Sequence, residues 1–342
     1  MRRWPWQRAA AQRGTLACTV DGDTLAWVHA EGAPGKPGRV LGAGLATLTA
    51  DGDPGPLRGR PAATLIAVMP LNASQLLQVE APAVPPEELR AAARWRIKDL
   101  VEGALDDYTI DVMPVGSGPA RGAKALFVAA ARNAAVRRTT EWAQEADLPL
   151  AVVDVAETTQ RNLQTAAAAA EGLTGRATAA LLRHGTQCLL TLCVDGDLFE
   201  ARRLAAELLD DTAAGLGGGS GPLVDDPAAP LPADWDYVDY GAVPDAGATV
   251  QTHERLLGEL QRSFDVWERS HPTQPLAALW LATGPGTEAL CQALAPALGL
   301  RVLPLQPETL LPGLAAAAPD AELQTSLLPL LGALLRDDSP TA

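Results

Sequence analysis

Two stretches of this chain can only run as strands joined by very tight turns. Residues 15–30, TLACTV then TLAWVHA, alternate in polarity and are split by Asp21-Gly22-Asp23. Residues 181–203, LLRHGTQCLLTLCVDGDLFEARR, read as strand, polar turn, apolar strand, Asp-Gly turn, strand. Asp-Gly supplies the positive φ that a short hairpin needs. Each hairpin opens a half of the chain in which strands then alternate with helices, which predicts an α/β protein of two similar lobes. The length, 342 residues, also exceeds what one small core serves. VDGD occurs in both halves, at Val20–Asp23 and Val194–Asp197. The first joins strands one and two and the second joins strands two and three. The shared tetrapeptide is therefore a good turn and not a repeat in register.

The remaining elements follow from local pattern. Residues 31–60 are rich in Gly and Pro, with a short strand expected near Leu45–Leu48. ATLIAVM, Ala63–Met69, is apolar throughout and predicts a buried strand, followed by a strand at LLQVEAP. Pro85-Pro86-Glu87-Glu88 places proline and acid where a helix starts. The helix EELRAAARWRIKDLVE then sets Leu89, Ala93, Ile97 and Leu100 on one stripe, with Arg90, Arg94 and Lys98 on another side. Strands are expected at YTIDVMPV, AKALFVAAA and LAVVDVA, and helices at about 134–146 and from Glu157 into an alanine run. In the second half, the helix His253–Arg269 carries Leu257, Leu260, Phe264 and Trp267 on one face. A buried strand at Leu276–Thr283 runs into Gly284-Pro285-Gly286, then a helix to Leu298 that Gly299 ends. A last strand, LRVLPL, precedes a final helix, Glu322–Arg336, expected to be interrupted at Pro329. Residues 210–232, with GLGGGSGP, hold too little apolar surface to offset ordering and read as a flexible loop, with WDYVDYG a strand candidate after it.

Charge and cysteine usage exclude several classes. The formal net charge is −14, and nothing resembles a phosphate-tracking surface, so nucleic acid is not an expected partner. Cys18, Cys188, Cys193 and Cys291 show no CxxC spacing. Cys188 and Cys193 fall on opposite faces of one strand, so they read as buried small hydrophobes of a reducing compartment. The four histidines lie far apart and give no HExxH, and no GxSxG occurs. No apolar run reaches the ~18 residues that span a bilayer. MRRWPWQRAAAQR lacks the apolar core of a signal peptide, while its arginines, Trp4 and Trp6 suit an anionic membrane surface or a solvated tail.

Gly284-Pro285-Gly286 between strand and helix is a ready seat for an anion or nucleotide, because backbone N–H groups point outward at the helix start. Its surroundings carry a resemblance. ELQRSFDVWERS, a strand, and ATGPGTEALCQALAPALGLRVLPLQP resemble the close of the actin-like ATPase fold, and within it the PilM branch of type IV pilus assembly proteins. VEAPAVPPEELRAAARWRIKDLVEGALDDYTIDVMPV and ALFVAAARNAAVRRTTEWAQEADLPLAVVDVAETTQRNL are similar to the inserted subdomain and following helix of that branch, most of all in MshI-like proteins of mannose-sensitive haemagglutinin (MSHA) pili. LLPLLGALLR matches the family's ending.

The resemblance covers about residues 14–336 and implies an actin-like (ribonuclease H-like) two-lobed α/β fold with a small inserted α/β subdomain. The lobes would be 14–176, with the insertion at about 80–120, and 177–336, flanked by tails 1–13 and 337–342. It implies a cytoplasmic adaptor, peripheral at the inner membrane. The adaptor would bind the tail of a PilN-like bitopic protein, with a PilO-like protein beyond it. The groove for that tail would lie between the insertion and its neighbouring lobe, at roughly Val84–Pro114. Arg90, Arg94 and Trp95 are the candidate partner contacts, beside the plainer reading of a packed Trp and solvated arginines.

Nucleotide contacts map to Thr19, Asp21, Gly185, Thr186, Gly284 and Gly286. Actin-like ATPases place an Asp beside each of two phosphate hairpins to hold magnesium or orient water. Here Thr19 stands at the first such position and Arg183 or His184 at the second. Asp21 and Asp23 read as hairpin-turn residues. The expectation is thus a pseudo-ATPase: ATP is the one cofactor implied, held weakly or not at all, without magnesium and with no catalytic residue. The alternatives are an active ATPase with displaced metal ligands, or the cytoplasmic component of a type II secretion platform.

Overall fold

The computed structural model describes residues 14–48, 57, 63–116, 125–209 and 246–336, excepting the side chains of 246–253. The expected loop at 210–232, the WDYVDYG strand and both tails lie outside the described residues.

The first hairpin forms as expected. β1 (Thr15–Asp21) and β2 (Thr24–Ala33) pair antiparallel around Gly22-Asp23. β3 (Lys36–Thr47) pairs with β2 along most of its length, far beyond the short strand expected near Leu45. Its glycines hid it from a pattern search. Gly44 packs against the Trp27 ring. β4 (Thr64–Met69) runs parallel to β1, and β8 (Leu150–Val155) parallel to β4, giving the order β3-β2-β1-β4-β8.

The second half repeats this order. β9 (Ala177–His184), β10 (Gln187–Val194) and β11 (Asp197–Ala205) form the antiparallel part, and β12 (Leu276–Ala282) and β13 (Arg301–Pro304) the parallel part, as β11-β10-β9-β12-β13. The hairpin equivalent to Asp21-Gly22 is therefore the β9–β10 turn at Gly185-Thr186, and not the VDGD turn. Each sheet buries its hairpin strands on both faces. Cys188 and Cys193 indeed point into different clusters, and all four cysteines are free and buried.

β5 (Ser74–Glu80), β6 (Tyr108–Pro114) and β7 (Ala125–Arg132) make a separate antiparallel sheet in the order β5-β7-β6. This insertion spans 74–132 and so extends past 80–120 on both sides. Its helix, α1 (Leu89–Arg96), is half the length expected, preceded by a single 3-10 turn at Pro86–Glu88. Ala93 and Ile97 are buried as predicted, but the chain turns at Ile97. Val101 thus takes the buried place and Leu100 is left 53% exposed. β7 alternates: Leu126, Val128 and Ala130 face α1, while Phe127 faces Cys193 and Leu198 of the second lobe. The small sheet is thereby sandwiched between its own helix and β10–β11. Burying Phe127 there contributes about 2–3 kcal/mol.

The helices α2 (Asn133–Glu145) and α3 (Ala156–Ala170) follow the insertion. α4 (Ala246–Ser270) covers the second sheet through Leu256, Leu260, Phe264 and Trp267, with Leu257 at the margin. α5 (Thr287–Leu298) ends at Gly299, whose φ is +60°. Two single-turn helices, α6 (Pro307–Leu310) and α7 (Leu314–Ala317), lead to α8 (Ala321–Leu334). α8 runs straight through Pro329, contrary to expectation. The carbonyl that Pro329 cannot bond belongs to Thr325, and Thr325 lines an open cleft that water reaches. Among the described residues no helix is long and apolar enough to cross a membrane.

Candidate functional site

Two concavities meet at the C-terminal ends of β1 and β4. The first is the cleft between the lobes, about 730 Å³. It brings together Thr19, Asp21, Gly185, Thr186 and Gly284, residues far apart in the sequence. Gly286 is not part of the lining. It is the N-cap of α5 at φ +84°. The loop itself is pinned by Thr287, whose Oγ1 donates to Gly284 O at 2.6 Å and accepts from Thr283 N at 3.1 Å. The space where a Gly284 side chain would sit is open.

The cleft is lined by two carboxylates and one guanidinium among the described residues. Asp21 and Glu322 are its lining carboxylates. Asp21 is tied to the turn after β4, its Oδ1 accepting from Asn72 Nδ2 at 2.8 Å. Arg183 folds its Nε onto Gly185 O at 3.1 Å, within the second turn. His184 meets Gln160 Oε1 at 2.9 Å. Gln160 Nε2 is committed to Leu189 O and Thr191 Oγ1, so its oxygen accepts and His184 Nε2 carries the proton. Burial, and secondly the guanidinium of Arg203, push the His184 pKa down to about 4, so the ring is neutral at pH 7. Gln187 Oε1 and Thr19 Oγ1 are buried atoms without partners among the described residues. No group of three His, Cys, Asp or Glu among the described residues stands close enough to share an ion, and the first turn is flanked by Asp21 and Asp23.

The second concavity, about 640 Å³, is a groove on the other side of the β1 and β4 ends. Its far wall is α2, the helix that leaves the insertion through β7. Met69, Ala134, Ala135 and Trp142 give it an apolar lining, and Arg138, Glu141 and Glu145 stand along α2. Arg138 Nη2 donates to Gly22 O at 3.2 Å and holds the first hairpin turn from this side. Trp142 is 6% exposed, and its Nε1 has no acceptor among the described residues. Thr19 lines groove and cleft alike, and among the described residues its Oγ1 has no partner either. Buried polar atoms are nearly always paired, so these two stand out at the edge of the groove.

The expected partner contacts lie elsewhere. Arg94 is spent on its own subdomain, donating to Leu105 O and Asp106 Oδ1, both at 2.7 Å. Arg90 is exposed on α1, and Trp95 is 69% exposed. None of the three lines the groove.

Sequence reasoning missed the group that ties the lobes together. Arg203 of β11 donates to Glu157 Oε1 at 2.6 Å, Leu71 O at 2.5 Å and Ser74 O at 2.9 Å. Glu157 is 2% exposed. As an acid in a helix's first turn it looked ordinary. Asp154, also buried, holds Arg336 Nη1 at 2.6 Å and so anchors the end of α8.

No protein-family model matches the sequence, and no curated protein does. Among solved structures, the chain is similar to one described as the PilM-PilN type IV pilus biogenesis complex, with TM-score 0.65 and 19% identity over 95% of this chain and 98% of that one. Fainter likenesses are a Bacteroides thetaiotaomicron protein with an actin-like ATPase fold (TM-score 0.48, 9% identity, covering 93% and 96%) and the cytoplasmic domain of EpsL, an inner-membrane component of the Vibrio cholerae type II secretion system (TM-score 0.41, 13% identity, covering 70% and 93%). With its twice-repeated strand order and the cleft between the two sheets, the chain has an actin-like ATPase fold and is similar in structure to PilM.

Proposed function

We propose that the chain is an adaptor of a type IV pilus assembly platform of the MSHA type, placed on the cytoplasmic side of the inner membrane. It docks the cytoplasmic tail of a PilN-like bitopic protein, with a PilO-like protein beyond, in the groove between α2 and the ends of β1 and β4. The observation that carries this reading is the groove itself, an apolar floor of Met69, Ala134, Ala135 and Trp142 edged by Arg138, Glu141 and Glu145, with Trp142 Nε1 and Thr19 Oγ1 unpartnered among the described residues. An extended peptide supplies what such a groove lacks: backbone carbonyls for the indole N–H and apolar side chains for the wall. The resemblance to a protein solved with PilN supports the choice of partner. The nucleotide cleft is read as a pseudo-ATPase site. Thr19 replaces a carboxylate, Asp21 is engaged by Asn72, and the one guanidinium among the described lining residues is turned onto its own loop.

The test is calorimetric titration of the full chain with a synthetic peptide of the PilN-like tail. Micromolar binding is expected, weakened about 5- to 10-fold by Trp142→Phe, which keeps an aromatic side chain in the wall but removes the indole N–H and some volume. Binding that ignores this substitution places the tail outside the groove.

A further inference from the structure

The cleft and the groove share a wall, and that wall is held from the opposite lobe. Pro70 and Asn72 line both concavities, Leu71 lines the cleft and Ala73 the groove. The four residues form one turn, closed by Ala73 N donating to Pro70 O at 3.0 Å, and Ser74 then begins the insertion. Each part of the turn is fixed by something outside it. The Leu71 side chain is buried among Ala156, Leu189 and Ala201. Asn72 holds Asp21. The Leu71 and Ser74 carbonyls both accept from Arg203, at 2.5 and 2.9 Å, and the same guanidinium is paired with the buried carboxylate of Glu157 at 2.6 Å. One planar, five-donor head thus spans the second lobe, the helix α3 and the shared wall. A lysine, with a single ammonium, cannot reproduce that fork.

We propose that Arg203 is a positioning residue for tail docking: by fixing residues 70–74 from the second lobe, it makes the groove competent to bind only while the lobes hold the stance seen here. The proposal rests on the groove reading above. It implies that the opposite lobe, which does not touch the tail, sets tail affinity. A ligand that pried the lobes apart would then release the tail.

The test combines peptide titration with amide hydrogen exchange on the full chain and on the variants Arg203→Met, Arg203→Lys and Trp142→Phe. Arg203→Met is expected to lower tail affinity at least tenfold and to speed exchange at residues 71–75. Arg203→Lys, which keeps the pair with Glu157, should fold as the parent does and fall between the two in both readouts. A merely structural Arg203 would lower thermal stability while leaving the affinity of the folded fraction unchanged. That result overturns the proposal and leaves the docking reading standing, provided Trp142→Phe still weakens binding. Unchanged exchange at 71–75 in Arg203→Met also overturns it, whatever the tail does. If the parent binds no tail, or Trp142→Phe binds as the parent does, the groove reading fails and the proposal falls with it.

Discussion

His184, at the turn between β9 and β10, gives its ring N–H to Gln160. From there a polar seam continues through Thr191 to Gln164, which holds Thr178 at 2.9 Å. Gln160, Gln164, Thr178 and Thr191 are all buried, and each finds a partner. Such a seam fixes the register of α3 on β9 and β10, since any slip strands several polar groups at once. It also makes the fold sensitive to acid. Because the folded-state pKa, about 4, lies below the unfolded value near 6.5, the unfolded chain takes up the proton first. The contribution is complete above about pH 6.5 and is lost as pH falls toward 4, with an upper bound of about 3 kcal/mol at 1.36 kcal/mol per unit. Chemical denaturation at pH 7.5 and 4.5 should therefore show a larger loss in the parent than in His184→Gln, which keeps a donor for Gln160. Equal losses would mean the ring is not what titrates.

At the scale of elements, local pattern located nearly every strand and the Gly-rich turn, because period and turn chemistry are local properties. What it misjudged was set by neighbours. The predicted stripe on α1 included Leu100 because it extended the helical period past Ile97, where the chain turns. Pro329 was expected to break α8, but the helix faces water where the proline sits. α8 also shows a contact no local pattern encodes. A Cβ on Gly332 would collide with the carbonyl of Thr159 on α3, and Asn162 Nδ2 donates to Gly332 O at 3.1 Å. The two helices cross at backbone contact. Gly332→Ala gains about 1 kcal/mol of helix propensity yet forces α3 and α8 apart, which typically costs more. The expected outcome is a fall of several degrees in the thermal midpoint. A rise would mean that the helices are not so closely packed.

At the scale of the molecule, the two lobes were legible because each opens with its own hairpin, and the resemblance named the same fold. The cross-ties were not. Arg203 reaches Leu71 across 132 residues and Glu157 across 46, distances at which composition and spacing carry no signal. These ties bear on the question that the two turns raise, whether the cleft still takes nucleotide. Lobes joined through Arg203, and through Phe127 against Leu198, cannot open without exposing a buried carboxylate and an aromatic ring. The cleft they hold offers Asp21 and Glu322 to a polyphosphate, against a single arginine already committed to its turn. Each phosphate added to a nucleoside brings negative charge toward those carboxylates. Calorimetric titration with adenosine, AMP, ADP and ATP, each with and without magnesium, should therefore find affinity falling as phosphates are added. ATP should bind more weakly than about 1 mM, or −4 kcal/mol, in either condition. The opposite order, or binding that appears only with magnesium, would show that Asp21 or Glu322 serves a metal after all. The cleft would then be a working nucleotide site and the pseudo-ATPase reading would be wrong.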